Sequence, residues 1–264
     1  MKLGITQLCV PGTIEEVARK AAAWGYTVLE IGMKAEGGIL DLATTAAGKR
    51  HIRETVRGAG LDLVSIVAGP VPDFSLFDNA PAVRARGQER CRICIDTAAE
   101  LGADTMLLVP GRLKSENCYD KAMQHLADSL RAVAPHAEKA GVAIGIEQVW
   151  NRFLVSPMDM KWIIEAVAGP AVGVYIDTGN MLFWNYPEHW IRILAPHIKK
   201  VHIKDFKRQG REFDFVQPGE GEVNWPAVTR ELAAAGYAGP LISEAGGTEE
   251  QMAAAVAVIR RLMS

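Results

Sequence analysis

Cysteine is scarce in this chain: Cys9, Cys91, Cys94 and Cys118 are the only four among 264 residues. That excludes a small disulfide-stapled scaffold and suits a reducing cytoplasm. Cys91 and Cys94 do stand as C-x-x-C, but within a helical pattern and with no second pair. They read as a packed pair and not as a redox or zinc motif. Basic charge is not in excess either, with 29 Lys and Arg against 31 Asp and Glu. A protein that neutralises a phosphate backbone needs a basic surplus, so nucleic acid is not expected as a partner. No apolar run approaches the ~20 residues of a membrane span. The opening MKLGITQLCV has neither the length nor the cleavage pattern of a signal peptide, so a cytoplasmic protein without a membrane partner is expected. A glycine-rich phosphate loop is also missing. After the first strand pattern, GITQLCVPGT contains no G-x-G-x-x-G, which argues against a doubly wound dinucleotide-binding sheet.

What is present is ordinary globular material, 49% hydrophobic and 23% charged, arranged in a repeat. An apolar strand, a loop and an amphipathic helix are followed by a small residue plus glycine, then the next strand. The joints recur at Trp24-Gly25, Ala59-Gly60, Leu101-Gly102, Ala140-Gly141 and Ala235-Gly236. Glycine just past a helix adopts the left-handed conformation that closes the last turn. Strands are expected near Lys2–Gln7, Thr27–Met33, Leu61–Ala68, Thr105–Val109, Val142–Glu147, Val172–Asp177, Ile198–Lys204 and Pro240–Glu244. Helices are expected at Thr13 onward, Thr45–Ala59, Pro81–Leu101, Tyr119–Ala140 (kinked or stepped at Pro135), Pro157–Val167, Pro187–Leu194, Trp225–Ala235 and Glu249–Met263. Two stretches read as loops: the proline-rich GPVPDFSLFDNAP after the third strand and the polar Lys207–Val223 after the seventh. Alternation of this kind over residues 1–264 predicts an α/β protein, a single (β/α)8 TIM barrel.

In such a barrel the chemistry lies at the C-terminal ends of the strands. Glu147 ends the fifth strand, Asp177 the sixth and Glu244 the eighth, while His202 lies near the end of the seventh. Alternation puts Glu147 on the face of Gly145, Asp177 on that of Tyr175, and His202 on that of Lys200 and Lys204. Val174, Ile176, Val201 and Ile203 face the helices. Ile242 shares the face of Glu244, so the eighth strand is less clean. An acid at a strand end is often a helix cap, and a buried histidine often a hydrogen-bonded core residue. Four successive strand ends carrying three carboxylates and an imidazole instead point to a divalent cation, which removes the repulsion. Mixed oxygen and nitrogen ligation suits Mn²⁺, Mg²⁺, Co²⁺ or Zn²⁺. Glu30 ends the second strand and faces the same rim, where it could support a ligand or touch a substrate hydroxyl. Trp150, Phe153, Trp184 and Tyr186 follow the fifth and sixth strands and could wall a pocket or pack on neighbours. The remaining histidines fall on helices or joints and read as structural or surface residues.

At these residues the chain resembles a known group, the xylose-isomerase-like barrels that include sugar-phosphate isomerases and epimerases. The likeness covers most of the chain and is densest from Ala143 to Glu244. D-x-G-N at Asp177–Asn180, H-x-K-D at His202–Asp205 and P-G-E-G-x-V-x-W at Pro218–Trp225 carry it. These motifs are most similar to those of L-xylulose- and L-ribulose-5-phosphate 3-epimerases and related ketose 3-epimerases. The resemblance implies one divalent metal ion, Mn²⁺ first among the candidates, held by Glu147, Asp177, His202 and Glu244. It also implies that Glu147 and Glu244 form the acid/base pair. Asn180 stands where the free-ketose epimerases carry histidine, and the phosphate-type epimerases share the asparagine. Asn180, Lys204 and Arg211 are assigned to the substrate, a small sugar or sugar phosphate. Arg208 lies in the same loop, and self-association into a homo-oligomer is compatible with this reading.

The chemistry expected is a cis-enediolate route: one glutamate deprotonates the carbon beside a carbonyl, and the other returns a proton on the opposite face in a 3-epimerisation. Three rivals stand beside it. A metal-dependent dehydratase or lyase would use the same enediolate to expel a leaving group. An endonuclease IV-like nuclease would call for more histidines and a basic face. A non-catalytic sugar-binding barrel would need no metal.

Overall fold

The computed structural model describes residues 1–68 and 74–263. Part of the proline-rich stretch after the third expected strand therefore lies outside the described residues. The barrel strands are β1 (Leu3–Thr6), β2 (Val28–Lys34), β4 (Asp62–Ala68), β5 (Thr105–Leu108), β6 (Ala143–Glu147), β7 (Val172–Asp177), β8 (Ile198–Ile203) and β11 (Leu241–Ser243). Each pairs in parallel with its neighbours, and β1 pairs with both β11 and β2, so the sheet closes on itself. β3 (Leu40–Asp41) adds a short pairing at the end of β2. The helices are α1 (Ile14–Ala23), α2 (Ala46–Gly58), α3 (Pro81–Leu101), α4 (Tyr119–Ala140), α5 (Pro157–Val167), α6 (Thr178–Leu182), α7 (Pro187–Leu194), α8 (Trp225–Ala234) and α9 (Glu249–Leu262). The expected eight-strand closed barrel is the observed one. Among the described residues no helix is long and apolar enough to cross a membrane.

Local chemistry sets the helix starts. Thr13 and Thr248 form reciprocal capping boxes with Glu16 and Gln251, each worth about 1 kcal/mol. Gly102 and Gly141 close α3 and α4 in the left-handed conformation. Pro135 lies in the interior of α4, which continues unbroken through it instead of stepping there. Cys91 and Cys94 are buried on α3 as free thiols, as the helical pattern predicts. His51, His125, His136 and His189 all sit on helices, and His51 and His136 pair with Glu15 and Asp96.

Two apolar layers hold the barrel. One lies between the strands and the helices and includes Val174, Ile176, Val201 and Ile203, as alternation predicts. The other is a smaller cluster of Val28, Val67, Leu107, Tyr175 and Ile242. Val28, Tyr175 and Ile242 sit two positions before Glu30, Asp177 and Glu244, on the inward faces below the rim, and Val67 sits two positions after Ser65. Ile242 thus fills the barrel interior, which accounts for its sharing the face of Glu244.

Lys207–Val223 departs from the loop expected of it. β9 (Asp205–Gln209) and β10 (Glu212–Val216) pair antiparallel as a hairpin that turns at Gly210, where φ is 63°. Phe206, Phe213 and Phe215 give this charged stretch an apolar side. They pack around Trp150 with ring centroids 6.0, 4.9 and 4.9 Å away. Asp205 closes the base: its carboxylate accepts from the backbone N–H groups of Phe206, Gly219 and Val223 and from the Trp225 indole. One fully buried carboxylate therefore joins the H-x-K-D and P-G-E-G-x-V-x-W motifs.

Candidate metal centre

Two irregularities in strand register place the rim residues. Between β7 and β8 the pairing runs Val174 with Ile198 and then Tyr175 with Lys200, so Lys199 is an extra residue. Asp177 consequently stands beside His202; an unshifted ladder would put Val201 there. Gly173 belongs to this arrangement, because a side chain at that position would collide with the His197 carbonyl oxygen. Between β2 and β4 the register slips at Leu29/Glu30, which sets Glu30 beside Ser65. The Ser65 hydroxyl donates to Glu30 Oε2 at 2.6 Å.

Glu147, Asp177, His202 and Glu244 come together at the C-terminal rim, with one ligand atom of each within 4.8 Å of all the others. His202 Nδ1 lies 3.4 Å from Glu147 Oε1, 3.5 Å from Glu244 Oε2 and 3.8 Å from Asp177 Oδ2. The four expected ligands are thus one cluster. Asp177 Oδ1 accepts from the Asn180 N–H at 2.8 Å and caps α6, a short helix the sequence pattern did not suggest. Its buried Oδ2 accepts no hydrogen bond and lies 3.0 Å from the Lys204 ammonium. Burial, with Glu244 and Asp177 nearby, pushes the Glu147 carboxyl up to about 8. Burial also raises Asp177, against the pull of Lys204. Three hard oxygen donors and one imidazole nitrogen, crowded to the point of mutual repulsion, fit a divalent cation.

Glu30 supports this cluster from below. Its Oε1 lies 2.7 Å from His202 Nε2, and its Oε2 accepts from Tyr175 at 2.6 Å as well as from Ser65. Burial alone would raise the Glu30 carboxyl; the charge of His202 and these hydrogen bonds bring it below its ordinary value. An ionised Glu30 opposite Nε2 orients the ring with Nδ1 toward the three carboxylates, so that Nε2 would keep its proton and Nδ1 would be the donor to a bound metal. The sequence placed Glu30 at the end of the second strand on the rim face; it lies instead inside β2, which runs on to Lys34, and the structure gives it a definite partner in His202.

The chain matches the Xylose isomerase-like TIM barrel family over residues 18–262. It belongs to that family. It is 26% identical over 92% of its length to a 3-dehydroshikimate dehydratase from Pseudomonas putida, and 28% identical over 65% to the L-ribulose-5-phosphate 3-epimerase UlaE of Shigella boydii. It spans 38% and 60% of the lengths of those two relatives. Its fold is shared with D-psicose 3-epimerase from Clostridium cellulolyticum H10, with a TM-score of 0.85, full coverage of both chains and 18% identity.

In this xylose isomerase-like barrel, Lys204 is buried and donates to Glu244 Oε2 at 2.6 Å. Against the cost of burial, the surrounding carboxylates hold its ammonium firmly protonated. The Asn180 side-chain amide is also buried and donates to Glu147 Oε1 at 3.4 Å, while the Trp150 indole holds the Asn180 carbonyl. Arg211 is exposed at the hairpin turn, with no ion pair or hydrogen bond among the described residues. The Arg208 guanidinium lies over Phe183 and Phe206. Of the expected aromatic wall, Phe153 is buried against Phe77 and Tyr119, Trp184 and Tyr186 are largely exposed, and Trp150 lines a cleft. That cleft has a volume of about 600 Å³ and includes Glu147 and Glu244 in its walls. Its other walls hold Leu8, Val67, Phe74 and Val149, together with Arg86, Arg112 and Lys114. The sequence reading missed these three cations, because they follow no motif and come from a helix and a separate loop.

Proposed function

We propose that this barrel is a divalent-metal-dependent isomerase of a small sugar or sugar phosphate, which moves a proton beside a carbonyl through a cis-enediolate and epimerises a ketose at C3. The observation that carries the reading is the rim cluster of Glu147, Asp177, His202 and Glu244 opening into a cleft of substrate size. A divalent ion held by these four residues, with Mn²⁺ the first choice, would supply Lewis-acid polarisation of the carbonyl oxygen. Glu147 and Glu244 do the proton work. They rise from β6 and from the end of β11, with β7 and β8 between them, and approach the His202 imidazole at 3.4 and 3.5 Å. One takes the proton from the carbon beside the carbonyl, and the other returns one to the opposite face. Asn180 and Lys204 at the cluster, and Arg211 on the hairpin, are the polar groups assigned to substrate oxygens.

The experiment is incubation of the Mn²⁺-loaded protein in D₂O with ketopentose 5-phosphates, free ketohexoses and hydroxypyruvate, followed by proton NMR. Deuterium entering the carbon beside the carbonyl, in a product of otherwise unchanged composition, is the expected result. No exchange with any substrate would sink the proposal. A dehydratase is the second reading, favoured by the relative that matches 92% of the chain; loss of water in the same assay would select it.

A further inference from the structure

Three exposed cations, Arg86, Arg112 and Lys114, line the cleft together with the acids Asp78, Glu147 and Glu244. Arg112 and Lys114 come from the loop after β5, and Arg86 from the first turns of α3. The other arginines along α3 are committed: Arg84 donates to the carbonyls of Asp78 and Asn79, Arg90 to that of Lys34, and Arg92 to Glu89 and the Ala132 carbonyl. Arg86 and Arg112 have no such partner among the described residues. Among the described residues Lys114 pairs with Asp78, which lines the same cleft, at 3.9 Å. Among the described residues none of the three makes an ion pair with the carboxylates of the metal cluster, whose ion-pair partners are His202 and Lys204.

The segment that carries Arg112 and Lys114 is fixed in place. The Asn151 side chain donates to the Gly111 carbonyl at 2.7 Å, and Leu113 N–H donates to the Asn151 carbonyl at 3.0 Å. Leu76 N–H holds the Pro110 carbonyl. Gly111 has φ +136°, and a Cβ there would meet Ser75 Oγ at 2.9 Å. Arg112 and Lys114 thus leave a pinned stretch of backbone, and they line the same cavity as Arg86 on α3. Guanidinium groups favour an oxyanion, which they bind through paired N–H donors.

We infer that the ligand of this cleft carries an anionic group, a phosphate or a carboxylate, and that Arg86, Arg112 and Lys114 bind it while the rest of the molecule reaches Glu147 and Glu244. This rests on reading the rim cluster as the reacting end of the cleft. The test is calorimetric binding to Mn²⁺-loaded protein, with two matched pairs of probes: D-ribulose 5-phosphate against D-ribulose, and 2-keto-D-gluconate against D-fructose. At least one charged probe should bind ~10-fold or more tighter than its neutral counterpart. In an R86Q/R112Q double variant that advantage should fall to within ~3-fold, with Mn²⁺ content and circular dichroism unchanged. An advantage confined to the first pair identifies phosphate, and one confined to the second identifies carboxylate. Equal binding within both pairs overturns the inference, as does an advantage that survives in the double variant. Binding is read without turnover, so a failed exchange assay in D₂O and a failed anion preference are separate results.

Discussion

His202 Nε2 and Glu30 Oε1 lie 2.7 Å apart, and both side chains are fully buried. The imidazole is thereby divided into a supported side and a coordinating side. Glu30→Gln leaves a side chain of the same shape that cannot carry the charge. We expect Mn²⁺ affinity to fall ~10–100-fold, with the circular dichroism spectrum retained. Titration calorimetry with Mn²⁺ checks this, and unchanged affinity would show that Glu30 does not position the ligand.

Glu147→Gln and Glu244→Gln test the acid/base assignment. Each should lower turnover by at least ~10²-fold, while metal content falls only in part because three ligands remain. Deuterium exchange and elemental analysis on the same preparations separate the two effects. Full activity in either variant would remove that glutamate from the proton transfer.

Chelation should make stability depend on pH with a definite sign. Burial and neighbouring carboxylates raise Glu147 from 4.5 to about 8 and raise Asp177 as well. A carboxylate raised on folding binds more protons in the native state than in the unfolded one, so stability falls as pH rises. His202, raised by its acidic neighbours despite burial, acts in the same direction above its ordinary 6.5. In EDTA, the urea midpoint should decline from about pH 5 through pH 8, and excess Mn²⁺ should flatten the slope. A midpoint in EDTA that rises over this window would contradict the crowded-carboxylate account.

Asp205→Ala strands four donors at the base of the hairpin. At about 1–3 kcal/mol for each buried group left unpaired, a loss of at least about 3 kcal/mol is expected, allowing for water reaching some of them. Urea denaturation measures it. Amide exchange should quicken at Gly219 and Val223, whose N–H groups lose their acceptor. Wild-type stability and exchange in the variant would show that the hairpin is held by its aromatic side alone.

The parts legible in the sequence were those governed by local pattern. Alternation in VGVYID and KVHIKD assigns inward faces to Asp177 and His202, and both reach the rim as expected. The hairpin was illegible because Lys207, Arg208, Arg211 and Glu212 dominate its composition, while the aromatic side that pairs it with Trp150 is spread over two strands. α6 was hidden because Asp177 serves two purposes, one oxygen facing the cluster and the other capping the helix. Glu30 stood on the correct face, but no local rule gives a partner 172 residues away. The cation trio was invisible for the same reason: Arg86 on α3 and Arg112 after β5 come to line one cleft only in the folded barrel.

Closure of the hairpin at Asp205 has a consequence for how this scaffold can change. The segment that covers the rim leaves β8 and returns to α8 through one carboxylate. What lies between those anchor points can lengthen, shorten or change composition without moving His202, which sits three residues before the anchor. The barrel therefore separates a fixed floor, which carries the four-residue cluster, from a hairpin whose length and composition are free to vary.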